Sequence, residues 1–324
     1  MMFFKRVLKA VAISAAFCAV SSSALAAGAK IIVIGGKADD PFWSIVKRGA
    51  EAAGIVVKAQ GGSVTWLGPQ NYDNLGPDAA NLIRSAISQK PDAIVGPDWV
   101  PAAMDDAFKE VVKAGIPLII YNAGGKAAAD KLGARNYIGS DEYVAGVAGG
   151  AKFAQAGVKN VICVNTVPGA ANLEARCKGV ADGIAKAGGT SKQLPLPATS
   201  FGNPTAVAEA IKAALMRDSA IQGVITISAG DANSAATAIT QTGSKVKLGT
   251  FDMDQSTLDR IKKGSQLFAI DQQPYLQGFL AVSLLNNYVQ YGLDVPTSPI
   301  LTGPGIVDAT NIDATLAGVK AGAR

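Results

Sequence analysis

The chain has 324 residues, of which 49% are hydrophobic, a formal net charge of +5 and no histidine. The missing imidazole excludes Ser-His-Asp and Cys-His catalysis, as well as zinc sites built on histidine ligands. The small excess of basic residues gives no sign of a nucleic-acid-binding face, and neither a metal nor a cofactor is expected.

The N-terminus has the order of a secretory signal peptide. Lys5, Arg6 and Lys9 precede an apolar run over residues 11–20, and Ala24-Leu25-Ala26 follows as a cleavage signature. The apolar run is about ten residues long, too short for a bilayer, which needs about 20. We expect cleavage after Ala26, removing residues 1–26, and export of the protein to the periplasm.

Short β-branched runs alternate with amphipathic segments through the rest of the chain. In the first half the pattern predicts strands at 31–34, 63–67, 93–95 and 117–121, and helices at 43–53, 77–89 and 101–114. In the second half it predicts strands at 161–165, 224–227 and 247–250, and helices at 171–187, 206–216 and 232–241. Such βαβ alternation indicates an α/β fold with parallel sheets and helices on both faces. Two runs of it predict two doubly wound, Rossmann-like lobes, with ligand at the carboxyl ends of the strands.

Aromatic and polar residues follow several of these predicted strands. Phe42 and Trp43 come after the first, Trp99 after the third, and Asp252 after the strand at 247–250. Aromatic faces pack on the C–H faces of sugars, and carboxylates, amides and guanidinium groups bind hydroxyls. Structural explanations stay open: Phe42 and Trp43 could form a hydrophobic staple, Trp99 could only pack its lobe, and Asp252 could cap a turn.

Cys163 and Cys177 are the cysteines that remain after removal of the leader. One lies at the end of a predicted strand and the other on the next helix, a connection that can bring the two Cα atoms within about 7 Å. An oxidising compartment favours a disulfide between them. The alternative is a pair of buried free thiols.

Five segments, in their order and spacing, resemble the periplasmic sugar-binding proteins of ABC importers, of the ribose-binding-protein type. They are Asp40-Pro41-Phe42-Trp43, Ile116-Pro117-Leu118-Ile119-Ile120, Gly139-Ser140-Asp141, Phe251-Asp252 and Asp271-Gln272-Gln273-Pro274-Tyr275-Leu276-Gln277-Gly278. The resemblance covers nearly all of the chain after the leader. It implies two lobes joined by a three-strand hinge, with ligand in the cleft between them. The implied N-terminal lobe is 27–138 plus 273–302, and the implied C-terminal lobe is 139–272 plus 303–324.

The resemblance also implies roles for individual residues. Phe42 and Trp43 map to stacking rings. Asp40, Asn122, Asp252 and Gln272 map to groups that contact the sugar. Glu174 stands where ribose binders carry an arginine, and Arg176 follows two residues later. The full set of expected ligand-binding residues is Asp40, Phe42, Trp43, Trp99, Asn122, Glu174, Arg176, Asp252 and Gln272.

The expected function is capture of a neutral monosaccharide or polyol by hinge closure, and its delivery to the inner-membrane permease subunits of an ABC importer. Asn122-Ala123 replaces the Asp-Arg pair of ribose binders, so ribose itself is not favoured. The protein is expected to be a monomer without catalytic activity. Two alternatives remain: a sugar receptor for chemotaxis, and a secreted glycosidase using Asp40 and Asp252 as its carboxylate pair.

Overall fold

The computed structural model describes residues 28–324, so the expected leader peptide lies outside the described residues. The strands are β1 (Lys30–Ile34), β2 (Ser63–Leu67), β3 (Ala93–Gly96), β4 (Leu118–Tyr121), β5 (Asn136–Ser140), β6 (Asn160–Asn165), β7 (Thr190–Pro195), β8 (Gly223–Thr226), β9 (Lys247–Phe251), β10 (Phe268–Asp271), β11 (Ile300–Gly303) and β12 (Gly305–Val307). The α-helices are α1 (Pro41–Ala59), α2 (Leu75–Ser88), α3 (Pro101–Lys113), α4 (Gly125–Leu132), α5 (Glu142–Gln155), α6 (Ala171–Ala185), α7 (Pro204–Arg217), α8 (Ala229–Thr242), α9 (Gln255–Lys262), α10 (Pro274–Tyr291) and α11 (Ile312–Lys320).

The strands form two six-stranded sheets, one in each lobe. The first has the order β11-β5-β4-β3-β1-β2, and the second β12-β10-β9-β8-β6-β7. Neighbouring strands run parallel except β10 and β12, which pair antiparallel. The predicted fold class, two doubly wound α/β lobes, is therefore confirmed.

The central strands are apolar throughout because helices cover both faces of each sheet. Strands β3 and β4 are wholly buried, and so are four of the five residues of β1. Helix α1 continues six residues past the predicted end at position 53. Gly54 does not end the helix. It lies at a close contact with β2, where an added Cβ would sit 3.2 Å from the side chain of Val64.

The chain passes between the two sheets three times, at points that all lie at the carboxyl ends of strands. It crosses after β5, after β10, and between β11 and β12. These crossings fall within a few residues of the lobe boundaries expected from sequence, and we propose those boundaries for the two lobes. The carboxyl ends of strands from both sheets therefore border the cleft between the lobes.

Cys163 and Cys177 form a disulfide, as expected from sequence, with their Cα atoms 5.6 Å apart. The bond joins strand β6 to helix α6 in the second lobe. Both side chains are buried, at 1% and 6% exposure. The bridge therefore fixes the middle of α6 against the sheet beside the cleft.

Candidate ligand-binding site

A cavity of about 80 Å³ lies in the cleft between the two lobes. It is lined by residues that follow strands of both sheets. Eight of the nine residues expected to bind ligand line it, namely Asp40, Phe42, Trp43, Trp99, Asn122, Arg176, Asp252 and Gln272. The fold thus brings together groups that are as far apart as 232 positions in the sequence.

Glu174 is the expected ligand residue that does not line the cavity. Its Oε1 atom accepts hydrogen bonds from the Gly169 amide at 2.9 Å, from Asn165 Nδ2 at 3.1 Å and from Gln193 Nε2 at 3.3 Å. Glu174 therefore stabilises the loop between β6 and α6. Helical geometry separates it from Arg176, because residues two apart on a helix point in different directions.

Nine further residues line the cavity although they were not expected from sequence, among them Tyr72, Asn172 and Phe201. Tyr72 follows β2, which was predicted as a strand. It could therefore have been found as Trp99 was, by looking for aromatic residues that follow predicted strands. Phe201 follows β7, whose sequence Thr-Ser-Lys-Gln-Leu-Pro has no apolar run to mark a strand. Asn172 lies on the first turn of α6 and carries no sequence signal of its own.

An aromatic cluster of the first lobe forms one wall of the cavity. Trp43 is at its centre, with edge-to-face contacts to Phe42 and Trp99 at 5.3 Å between ring centroids, and to Tyr121 at 5.9 Å. Trp43 and Trp99 are only 7% and 4% exposed. These rings thus serve the core of the lobe as well as the cavity, since edge-to-face pairs stabilise buried clusters.

Asp40 begins helix α1 and also borders the cavity. Its Oδ1 accepts the backbone N–H groups of Phe42 at 2.9 Å and Trp43 at 3.0 Å, which is an N-cap. Its Oδ2 accepts the hydroxyl of Tyr72 at 3.3 Å. Burial raises the pKa of Asp40, while the two capping amides lower it. The cap thus fixes the backbone of Phe42 and Trp43 in position relative to the carboxylate.

Asn122 and Asp252 occupy equivalent places in the two lobes, directly after β4 and β9. Both have left-handed backbone conformations, with φ of 60° and 63°, which asparagine and aspartate tolerate better than most residues. Their amides donate to the neighbouring strands, to Ile138 and Ile270 respectively. The turn after each strand therefore presents an amide or carboxyl side chain to the cavity.

Two acceptor atoms at the cavity are buried and unpaired. Gln272 donates its Nε2 to Asp252 Oδ1 at 2.5 Å, and its Oε1 has no hydrogen-bond partner among the described residues. The same holds for Oδ1 of Asn172. A buried acceptor without a donor costs about 1–3 kcal/mol. Both oxygens are therefore placed to receive hydrogen bonds from a ligand that carries donors.

Arg176 supplies donors to the same cavity. Its Nε and Nη2 bind both carboxylate oxygens of Glu142 at 2.6 and 3.1 Å, and its Nη1 donates to the Ile227 carbonyl at 3.0 Å. The guanidinium carbon lies 4.5 Å from the ring centre of Phe251. A guanidinium has five N–H groups. Two of them remain without a partner in the part of the chain that the structure describes.

Direct contacts across the cleft show that the lobes are closed on each other. The Ala171 amide at the start of α6 donates to the Trp99 carbonyl at 2.8 Å. Tyr72 and Phe201 meet edge to face, with ring centroids 4.9 Å apart. An outer groove of about 900 Å³ adjoins the cavity and shares six lining residues with it, namely Asp40, Phe42, Tyr72, Phe201, Ser228 and Asp252. Tyr72 and Phe201 are therefore among the residues that lie between the cavity and the outer groove.

Asp98, next to Trp99, is buried at 1% exposure outside the cavity lining. Burial, followed by the neighbouring Asp105 carboxylate, raises the pKa of Asp98 to about 7, while Lys131 lowers it. The folded protein then binds a proton that the unfolded chain releases near its ordinary value of about 3.9. Because the folded state holds more protons over this window, the contribution of Asp98 to stability is greatest at low pH and is lost as pH rises toward 7.

We therefore expect Asp98→Asn to raise the melting temperature at pH 8 by several degrees and to flatten its decrease between pH 5 and 8. The amide keeps the shape of the side chain without the buried charge. Thermal unfolding across this pH range is the measurement, with Asp106→Asn, on the exposed side of α3, as the control. A pH profile of Asp98→Asn identical to that of the original protein would contradict the assignment.

Within residues 28–324 there is no cluster of three or more His, Cys, Asp or Glu residues that could hold a metal ion. The same region contains no helix with the length and apolar character needed to cross a membrane. The cavity lining combines hydrogen-bonding groups, aromatic rings and aliphatic side chains supplied by both lobes.

Comparison with known proteins gives consistent matches over most of the chain. A family model described as a periplasmic binding protein domain matches residues 31–293. The xylose/arabinose-binding protein XylF of Sulfolobus acidocaldarius is 25% identical over 304 residues, which are 89% of this chain and 73% of that protein.

Solved structures match at similar lengths. A carbohydrate transporter from Acidothermus cellulolyticus 11B, in complex with myo-inositol, is 33% identical with a TM-score of 0.83, over 92% of this chain and all of that one. An ABC transporter solute-binding protein from Agrobacterium vitis, bound with alpha-D-tagatopyranose, is 25% identical with a TM-score of 0.75, over 89% and 97% of the two chains.

Proposed function

The chain belongs to the periplasmic binding protein domain family, and from this premise we propose that it captures a neutral monosaccharide or cyclic polyol. This membership confirms the family expected from sequence. The ligand class is the proposal. It is supported by the residues that line the cavity, which combine an aromatic wall with unpaired donors and acceptors.

One observation supports the proposed ligand class most directly: unpaired hydrogen-bond donors and unpaired acceptors lie around one small cavity. Gln272 and Asn172 offer acceptor oxygens, and Arg176 offers two N–H donors. A hydroxyl group both donates and accepts, so a ring with several hydroxyls can satisfy all of these groups at once. Its C–H face would pack on Phe42, Trp43 or Trp99.

Myo-inositol is the first ligand to test. It is the molecule bound by the Acidothermus relative, at 33% identity over almost the whole chain. As a six-membered ring with a hydroxyl on every carbon, it offers a donor and an acceptor in every direction. Xylose, arabinose and tagatose are the next candidates, because other similar proteins bind them or are named for them.

Closure of the lobes would be the mechanism of capture. Asp40, Phe42, Trp43 and Asn122 come from the first lobe, whereas Arg176 and Asp252 come from the second, and Gln272 follows the crossing strand β10. A ligand that contacts both groups favours the closed state over the open one, so its binding shifts the equilibrium toward closure. The contact between Ala171 and Trp99 forms only in the closed arrangement.

We further propose that the protein acts in the periplasm as a monomer and hands its ligand to the membrane subunits of an ABC importer. The family and the sugar-binding relatives support this placement. Asp40 and Asp252 are assigned to binding and not to catalysis. The capping bonds that Asp40 Oδ1 accepts make it an acceptor of fixed position, which suits recognition of a hydroxyl.

The test is a thermal-shift panel of myo-inositol, pentoses, hexoses, linear polyols, sugar acids and sugar phosphates, followed by calorimetry. We expect at least one neutral ring ligand to raise the melting temperature, and the same ligand to lower the radius of gyration in small-angle scattering. Stabilisation by sugar acids or phosphates alone would refute the ligand class. A saturating ligand that leaves the scattering curve unchanged would refute closure.

A further inference from the structure

Glu142 lies behind the cavity, where it makes the ion pair with Arg176. It is the first residue of α5, directly after the chain crosses into the second lobe, and is 7% exposed. Arg176, on α6, is 3% exposed. Glu142 does not line the cavity, so it has no direct contact with a ligand there.

Close packing of α5 on α6 holds this ion pair in place. An added Cβ at Gly146 would lie 2.2 Å from the Arg176 carbonyl, and one at Gly179 would lie 2.2 Å from the Tyr143 carbonyl. Only glycine at these positions lets the two helix backbones approach so closely. The approach brings Glu142 within bidentate reach of a guanidinium 34 residues away in sequence.

The ion pair determines the charge that Arg176 presents to the cavity. A buried guanidinium without a counterion would strongly attract an anion, because a low-dielectric site magnifies charge interactions. With both oxygens of Glu142 bound to it, the guanidinium keeps its two unpaired N–H donors while its charge is balanced. The cavity then gains hydrogen-bond donors without gaining a preference for anions.

We propose that Glu142 is a specificity-determining positioning residue, which makes the cavity select neutral ligands and reject sugar acids. The inference rests on the proposed function and names the residue behind its ligand class. A carboxylate ligand could bind the two N–H groups that Glu142 leaves free, but the buried site would then hold two carboxylates beside one guanidinium. Selection arises because Glu142 already balances the charge of Arg176, so that a second carboxylate would be buried without a counterion.

Asp252 is the second carboxyl group that faces Arg176. Burial raises the pKa of Asp252 to about 7, against the lowering effect of Arg176. Among the described residues Asp252 makes no hydrogen bond to Arg176, whereas Glu142 makes two, so Asp252 balances the guanidinium less completely than Glu142 does. Removal of Glu142 would favour ionisation of Asp252, so the test includes a variant that prevents this.

The experiment compares D-glucose with D-glucuronate and D-galactose with D-galacturonate, pairs that differ by one carboxylate. For Glu142→Gln at pH 7 we expect the affinity for the acid relative to its neutral partner to rise at least tenfold by calorimetry. The gain should be larger when Asp252→Asn is added. Glu209→Gln, which removes the same charge from an exposed pair with Lys212 on α7, should leave the ratio unchanged.

An unchanged ratio in folded Glu142→Gln and in its combination with Asp252→Asn would overturn the inference. Failure of the original protein to bind any neutral ring ligand would instead overturn the proposed function. Should Glu142→Gln not fold, Glu142→Met with Arg176→Met decides, because it removes both charges together. Restored folding of that double variant would support charge balance as the role of Glu142, whereas its failure to fold would assign Glu142 a packing role and overturn the inference.

Discussion

Replacement of Trp43 by alanine is expected to weaken ligand binding by about 100-fold. Aromatic contact contributes about 0.5–1.5 kcal/mol beyond burial, and removal of the ring would also withdraw the edge-to-face support of Phe42 and Trp99, which line the same cavity. The same change should lower the free energy of unfolding by about 3–5 kcal/mol, as is usual when a buried large aromatic side chain is truncated. Trp43 is 7% exposed and contacts three other aromatic rings at 5.3–5.9 Å between centroids.

Trp66→Ala is the matched control for this prediction. Trp66 belongs to the same aromatic cluster, 6.2 Å from Trp43 between ring centroids, but it does not line the cavity. Calorimetry should give a dissociation constant within about threefold of the original protein, and chemical denaturation should give a smaller loss of stability. Equal affinity losses in the two variants, or none in Trp43→Ala, would remove Trp43 from the binding site.

Removal of the disulfide by Cys163→Ala with Cys177→Ala is expected to lower the free energy of unfolding by about 3 kcal/mol. The bridge closes a loop between residues 14 positions apart, and a loop of about 15 residues corresponds to about 3 kcal/mol in the chain-entropy account. Five cavity-lining residues lie within this loop, namely Val167, Ala170, Asn172, Leu173 and Arg176. Ligand affinity should therefore fall as well.

Chemical denaturation and calorimetry measure both effects. The original protein under a reducing agent that opens the bridge should reproduce the stability of the double variant, which separates loss of the bond from loss of side-chain packing. Freshly exported protein should carry no alkylatable thiol. Equal stability of the double variant and the oxidised protein would show that the bridge contributes nothing to this lobe.

The cavity could be predicted to a large extent because its residues follow strands. In a parallel sheet the carboxyl ends of the strands lie at one edge, so Trp99, Asn122 and Asp252 are brought there by topology. Family resemblance added Asp40 and Gln272. Phe201 escaped prediction because β7 is an edge strand with a polar sequence, which leaves no apolar run to mark it.

Glu174 and Arg176 show that sequence alone does not specify which side chains of a helix face the cavity. They lie two residues apart on α6, and alignment with the family gave both the same expected role. Helix rotation turns Arg176 into the cavity and Glu174 toward the loop before the helix. The register of a helix against its sheet depends on packing, which sequence position does not specify.

The sequence by itself determined the fold class and the family, and it favoured the cysteine pair, because each depends on short-range patterns or on segments in a fixed order. Hydrophobic periodicity, turns and the strand-to-helix connection between Cys163 and Cys177 all act over a few residues to a few turns. Only the tertiary structure decided that Glu142 balances Arg176 and that Tyr72 meets Phe201 across the cleft. These contacts join residues 34 and 129 positions apart, and they exist only because helix packing and lobe closure bring the side chains together.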